Sequence, residues 1–313
     1  MFTTDQPAVV PRALIEKAQV HPPVRTAVVN AVNDVVMESV RDAVAERLIE
    51  PVLIGARQAV ATEAAKLGFD ISDFEIVDAE GEEFSAAAGA KLAAGGEVGA
   101  VMKGHLHTDI YMRALLSRDA GLRTGAPFTH LFYMTLPGHD DGLVITDAAL
   151  NPAPDVETRM AITRNAVSMM HALGVVRPKV ALLSASEVPN PRIPSSEEAA
   201  EIAAWAKDNV ADADVDGPLA FDLAVSPEAV AIKGVTSPVA GRAEVIVVPE
   251  IVAGNALFKM MVQFMGACAG GLVMGAKVPI LLTSRADPPV ARLASAALAS
   301  VASSVARQAE TSA

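Results

Sequence analysis

This sequence predicts an α/β fold with mainly parallel sheets, and three observations predict it. Short apolar runs of strand character alternate with helix-period stretches along most of the chain. One pair of such runs instead follows across a tight turn. The composition, 51% hydrophobic against 20% charged over 313 residues, is that of a core-rich globular protein large enough for one big or two medium domains.

Taken in order, the run at 24–29 precedes a helical pattern to residue 47, 51–55 precedes 58–67, 74–77 precedes 84–94, and 98–103 precedes 109–117. The runs at 128–134 and 143–147 are separated by Pro137-Gly138-His139-Asp140-Asp141-Gly142, a turn sequence too short for a crossover. An antiparallel hairpin is expected there, and with it a change of subdomain. Alternation resumes with a helix over 155–173, a strand at 179–184, a helix over 196–208, a strand at 244–248, a helix over 255–265, a strand at 278–283 and a last helix over 289–305. The stretch 260–276 is apolar enough to raise the question of a membrane span. Its Gln263, its four glycines and its shortness argue for a buried helix instead, with Met260, Met261, Met265 and Met274 as core filler and Cys268 as a small hydrophobe.

Charge and cysteine usage narrow the function. Lys and Arg total 25 against 37 Asp and Glu, a net charge of −12, which disfavours a nucleic-acid surface or an anionic membrane surface as partner. An anionic ligand must then find a local basic pocket. The single cysteine excludes an internal disulfide and a cysteine-cluster metal site, and fits a reducing cytoplasm. The N-terminus, with Asp5 early and no apolar core before Arg12, does not read as a signal peptide.

In α/β sheets ligands sit beyond the carboxyl ends of the strands, which selects four corners. The most informative is Val278-Pro279-Ile280-Leu281-Leu282-Thr283-Ser284-Arg285-Ala286-Asp287: a strand delivering two hydroxyls, a guanidinium and a carboxylate to a helix start. Arg285 can donate two parallel hydrogen bonds to a tetrahedral oxyanion while Thr283 and Ser284 add single ones, although Ser, Thr and Asp are also the preferred helix caps. The other corners are Lys103-Gly104-His105-Leu106-His107-Thr108 with Arg113 a turn or two on, Ser184-Ala185-Ser186-Glu187, and Pro249-Glu250 through Gly254-Asn255 with Lys259 beyond. His105 and His107, with no acidic partner near in sequence, make a poor metal site. Gly254 and Asn255 suit a helix opening, read either as a plain cap or as a second anion-facing helix start.

The order of these corners carries a resemblance. The segments Val101-Met102-Lys103-Gly104 with Arg113-Ala114-Leu115-Leu116, Asp147-Ala148-Ala149-Leu150-Asn151-Pro152, Asp216-Gly217-Pro218-Leu219-Ala220-Phe221-Asp222, Val248-Pro249-Glu250 with Gly254-Asn255 and Lys259, and Thr283-Ser284-Arg285 resemble the phosphate acetyltransferase and phosphate butyryltransferase family. The resemblance implies a two-domain fold of the isocitrate and isopropylmalate dehydrogenase type with an interdomain cleft. Residues 1–125 plus 276–313 would form one domain and 126–275 the inserted other, with Ser284-Arg285 facing Arg113 across the cleft.

It also implies reversible acyl transfer between coenzyme A and inorganic phosphate, with acyl-CoA and phosphate as substrates, no tightly bound cofactor, no metal, and a homodimer. Ser284, Arg285, Arg113 and Asp287 are then the catalytic candidates. Lys103, His107, Thr108, Gly254, Asn255, Lys259 and Thr283 are the substrate-binding ones. Phosphate attack on a thioester builds one anion beside another, which is chemistry for arginines and hydroxyls. Two departures lean away from the acetyl branch: Ala291 stands where that branch has an aspartate seven residues after the serine, and His107-Thr108 is one residue shorter than its counterpart. Asp287 is read as either general base or helix cap. Two other readings are a noncatalytic CoA-binding or assembly module and a metal-dependent hydroxy-acid dehydrogenase of the same fold, the latter lacking an evident aspartate cluster.

Overall fold

The computed structural model describes Thr4, residues 6–283 and residues 288–311, the stretch 305–311 by backbone only. It opens with α1 (Arg12–Gln19), β1 (Val24–Val29), α2 (Asp34–Ala45), β2 (Ile49–Gly55), α3 (Arg57–Lys66), β3 (Ile76–Asp78), α4 (Glu82–Ala94), β4 (Ala100–Lys103) and α5 (Thr108–Leu116). The repeated β-α reading therefore holds here. β1 and β4 are buried along almost their whole length, the habit of parallel strands covered on both faces. α2 starts where it does because the Asn33 side chain accepts from Val36 N–H.

The middle of the chain supplies β5 (Thr129–Thr135), β6 (Gly142–Thr146), α6 (Val156–Ala172), β7 (Lys179–Leu183), α7 (Pro194–Asn209), β8 (Asp214–Leu219), α8 (Phe221–Val225), α9 (Pro227–Lys233), β9 (Val245–Val247) and α10 (Ile251–Met265). β5 and β6 form the expected antiparallel hairpin, with Thr135 opposite Gly142. The strands run in the order β5-β6-β9-β7-β8, parallel from β6 onward. Asp155 caps α6 by accepting from Thr158 N–H. In the first turns of the same helix Arg159, with no exposed side-chain surface, donates from Nη1 to Glu198 on α7 at 2.9 Å. Burial lowers its pKa against the pull of that carboxylate.

The chain then adds β10 (Cys268–Met274), β11 (Ile280–Leu281) and α11 (Pro289–Thr311). Two compact units result. One is Val9–Ala126 with Gly270–Ala313, and the other is Pro127–Ala269 with Met1–Ala8. In the first unit the strand order is β3-β2-β1-β4-β11-β10, parallel throughout except that β10 runs antiparallel to β11. α11 is an alanine and serine helix buried on every side from Ala294 through Ser304. Its small residues let the backbone approach the sheet, and its hydroxyls tie it there: Ser295 Oγ accepts from Gly271 N–H at 2.9 Å and Ser303 Oγ donates to the Gly99 carbonyl at 2.8 Å.

Three expectations are corrected. The helix expected over 260–276 ends at Met265, and Gly266 at φ 66° turns the chain into β10. Cys268 is thus a strand residue, 1% exposed, and burial pushes its thiol up to about 12, so no thiolate nucleophile forms there near neutral pH. The helix expected to open at Asn255 begins at Ile251, capped by Glu250. Met260 and Met265 are not core filler: they are 40% and 43% exposed on α10. Among the described residues no helix is long and apolar enough to cross a membrane.

Candidate active site

The corner at the carboxyl end of the first unit's sheet is built from β1, β4 and β11. Lys103 ends β4 and is 1% exposed, and the register places it level with Leu282, one residue before Thr283. Gly104 follows because nothing larger fits: a Cβ there would land on the Val29 carbonyl oxygen and 2.8 Å from that of Asn30. Asn30, in left-handed backbone at φ 56°, accepts from His105 N–H at 3.0 Å through its own carbonyl and donates its side-chain amide to the His105 carbonyl. That ladder fixes how the chain leaves β4 and enters α5. Tyr111, wholly buried, donates its hydroxyl toward the Val101 and Leu281 carbonyls at 3.0 and 3.4 Å, pinning α5 across β4 and β11. Burial holds its phenol well above the usual tyrosine range.

His107 precedes Thr108, the first residue of α5, and both are exposed. The acidic partner of His107 comes from α4 and not from Asp109, which pairs with Arg113. Glu82 brings its carboxylate oxygens to 2.8 and 3.0 Å from His107 Nδ1 and also accepts His107 N–H at 2.9 Å. Thr283, 4% exposed at the end of β11, accepts from Arg292 Nη1 at 3.1 Å. Arg292 is itself 3% exposed, a permanent cation beside the strand end. Arg113 lies in the last turn of α5 with its side chain 69% exposed, donating to Asp109 at 3.2 Å, a surface pair one helical turn apart. Ser284, Arg285 and Asp287 lie outside the described residues.

The second unit's corner lies after β6. Asp147, 1% exposed, accepts from His130, Ala149 and Leu150 N–H and from the Asn151 amide, at 2.6 to 3.0 Å. A buried carboxylate with four donors is structurally satisfied, and it organises the 147–151 turn. Against that turn packs α10: a Cβ at Gly254 would meet the Asp147 carbonyl at 2.9 Å, and the Asn255 amide donates to the Ala148 carbonyl at 3.4 Å. Gly254 and Asn255 therefore seat the helix rather than open it. The start is four residues earlier, where the Glu250 carboxylate accepts from Val252 and Ala253 N–H, both at 2.8 Å. A carboxylate already occupies those N–H groups, so the anion-facing helix start read from Gly254-Asn255 is not at that place. Lys259 is exposed further along α10, 6.0 Å from the centre of the Phe258 ring.

Lys103, His107, Thr108 and Thr283 thus gather at one end of one sheet, and Gly254 and Asn255 at a turn of the other unit. Sequence reasoning missed Glu82, Tyr111 and Arg292. An arginine one turn into an otherwise alanine, serine and leucine helix was the signal for Arg292, because such a helix is buried all round.

Residues 83–300 match the family described as phosphate acetyl/butaryl transferase. The chain is 41% identical over 289 residues to a phosphate acetyltransferase of Rhizobium meliloti, covering 92% of each protein, and 36% identical over 278 residues to a phosphate butyryltransferase of Clostridium acetobutylicum, covering 88% of this chain and 92% of that one. Among solved structures, a branched-chain phosphotransacylase from Enterococcus faecalis superposes with a TM-score of 0.79 at 31% identity over 89% of this chain and 99% of that one. A 4-hydroxythreonine-4-phosphate dehydrogenase from Burkholderia phymatum, at a TM-score of 0.53 and 14% identity over 90% and 98% of the two chains, shares the fold alone.

Proposed function

The chain belongs to the phosphate acetyl- and butyryltransferase family, and on that footing we propose that it exchanges a short acyl group, acetyl to butyryl, between coenzyme A and inorganic phosphate, with acyl phosphate as the other product. The observation that carries this is similarity to both branches over about nine-tenths of the chain. The first unit's corner supports it: Lys103 is buried at the end of β4, and buried Arg292, in the first turn of α11, donates to the hydroxyl of Thr283, in a protein whose net charge is −12. A local positive field is what an acidic chain needs to hold phosphate.

In the proposed reaction a phosphate oxygen attacks the thioester carbonyl, the C–S bond breaks, and CoA leaves as its thiol. Charge peaks on the carbonyl oxygen and the incoming phosphate, so Arg285 and Arg113 act as electrostatic donors and Ser284 as a hydroxyl donor. Lys103, Thr108, Thr283 and Lys259 serve binding. The test is an acyl-CoA panel with phosphate, following thiol release. Release that needs phosphate is expected, and its absence with acetyl-, propionyl- and butyryl-CoA alike would remove the assignment. A dehydrogenase reading rests only on shared fold at 14% identity.

We place the enzyme in the cytoplasm, where both substrates occur, as a homodimer through α10. One side of α10 packs Ala253, Leu257, Phe258, Met261 and Val262 onto the core of the second unit, while Val252, Ala256, Met260 and Phe264 form an exposed row at i+4 spacing. Such rows interdigitate between copies about a twofold axis. The α10 sequence carries no acidic residue. Met260→Glu, which places a charge in each half of that contact, should convert the dimer to monomer in sedimentation velocity, and an unchanged mass would move the interface elsewhere.

A further inference from the structure

We propose that His107, held by Glu82, is the group that moves the CoA thiol proton. The inference rests on the acyl-transfer reading above and names a role within it that the arginines cannot fill, because arginine does not give up its proton near neutral pH. Toward acyl-CoA, the thiol must lose a proton as sulfur attacks the acyl phosphate. Toward acyl phosphate, the departing thiolate must regain one. A single imidazole can do both, taking the proton on Nε2 in one direction and returning it in the other, with no co-reactant.

The geometry favours His107 over its neighbours. Of the side chains described at this end of the sheet, Lys103 and Arg292 are buried cations and Thr283 is an acceptor for Arg292, whereas Tyr111 is buried with its phenol held above its usual range. His107 alone among them pairs an imidazole with a carboxylate and keeps a solvent-facing side: its side chain is 56% exposed, that of Glu82 28%. With both Glu82 oxygens within 3.0 Å of Nδ1, that nitrogen carries the proton in the neutral ring. Nε2 is then the lone-pair nitrogen, and it has no hydrogen-bond partner among the described residues. The same carboxylate accepts His107 N–H, so ring and backbone are oriented together. Among the described residues neighbouring His105 has no such carboxylate: its backbone is bound to Asn30 and its side chain is exposed, which makes it the internal control.

The step balances in either direction. As acyl-CoA forms, the S–H bond breaks, the proton goes to His107 Nε2, the sulfur lone pair forms the C–S bond, and the C–O bond to phosphate breaks with its electrons leaving on phosphate. The reverse returns that proton to sulfur as C–S breaks.

The test uses the full-length protein and compares His107→Ala, His107→Gln, Glu82→Gln and His105→Gln by kcat, KM and melting temperature. A folded His107→Ala enzyme should lose about 100-fold or more in kcat with KM for phosphate little changed, and added imidazole should restore part of the rate. Glu82→Gln should show a smaller loss in the same kcat, and His105→Gln none. His107→Gln at wild-type rate would overturn the assignment. So would a His107→Ala loss that imidazole does not rescue and that appears mainly as a raised KM for acyl-CoA, which would make His107 a binding contact. A wild-type protein without phosphate-dependent thiol release would instead overturn the acyl-transfer reading, and this role with it. Should His107→Ala fail to fold, His107→Gln with nitrogen NMR of the ring decides: the wild-type ring must show a protonated Nδ1 that Glu82→Gln loses.

Discussion

Arg285→Gln is expected to lower phosphate-dependent thiol release by about a hundredfold or more while the melting temperature stays where it was. Glutamine keeps a polar side chain with one pair of amide donors, but it is shorter and removes the positive charge and the guanidinium fork. Charge on the carbonyl oxygen and phosphate is greatest in the transition state, so the loss should fall on kcat more than on the KM of either substrate. Arg285→Lys separates the two contributions: it keeps charge without the bidentate geometry, and should recover only part of the rate. A Gln enzyme near wild-type rate would reduce Arg285 to a neighbour of the helix that follows it.

The second large effect is structural. Gly104→Ala should destabilise the protein by about 3 kcal/mol, a drop in melting temperature of roughly 6–12 °C, or abolish soluble expression. The added methyl would overlap the Val29 carbonyl oxygen, and that atom cannot step aside: Val29 is paired with Lys103 in the central strands, and Asn30 beside it carries the double hydrogen bond to His105. Gly174 is the contrast. It sits at φ 86°, and a methyl added there would have nothing within 4 Å, so Gly174→Ala meets only backbone strain and should cost about 1 kcal/mol. Equal shifts at both positions would mean that the strand ends around Gly104 yield to a methyl group.

Much of this architecture was readable because local and global preferences agree. The apolar runs at β1, β4 and β7 are buried on both faces in parallel sheets, and that burial is the pattern a periodicity reading detects. β10 escaped because its glycines and Cys268 sit in an apolar stretch that continues directly from α10, where period alone cannot separate helix from strand. β8 escaped because Gly217, Pro218 and two aspartates weaken its strand signal. The start of α10 was misplaced since Glu250, a less favoured cap than Asn255, does the capping. At the site, the histidine was legible but its partner was not. Glu82 lies 25 residues from His107, and only the packing of α4 beside α5 brings them together.

The return of β11 and α11 to the sheet begun by β1 has a consequence for how the protein is made. On the ribosome the unit built mainly from 127–269 emerges as one continuous stretch and can fold as it appears. The earlier strands cannot finish: until β11 is synthesised, β4 has an open edge where a parallel neighbour belongs, with its N–H and C=O groups exposed to any other extended chain. The nascent protein therefore carries an unpaired sheet edge for the whole time its middle is being translated.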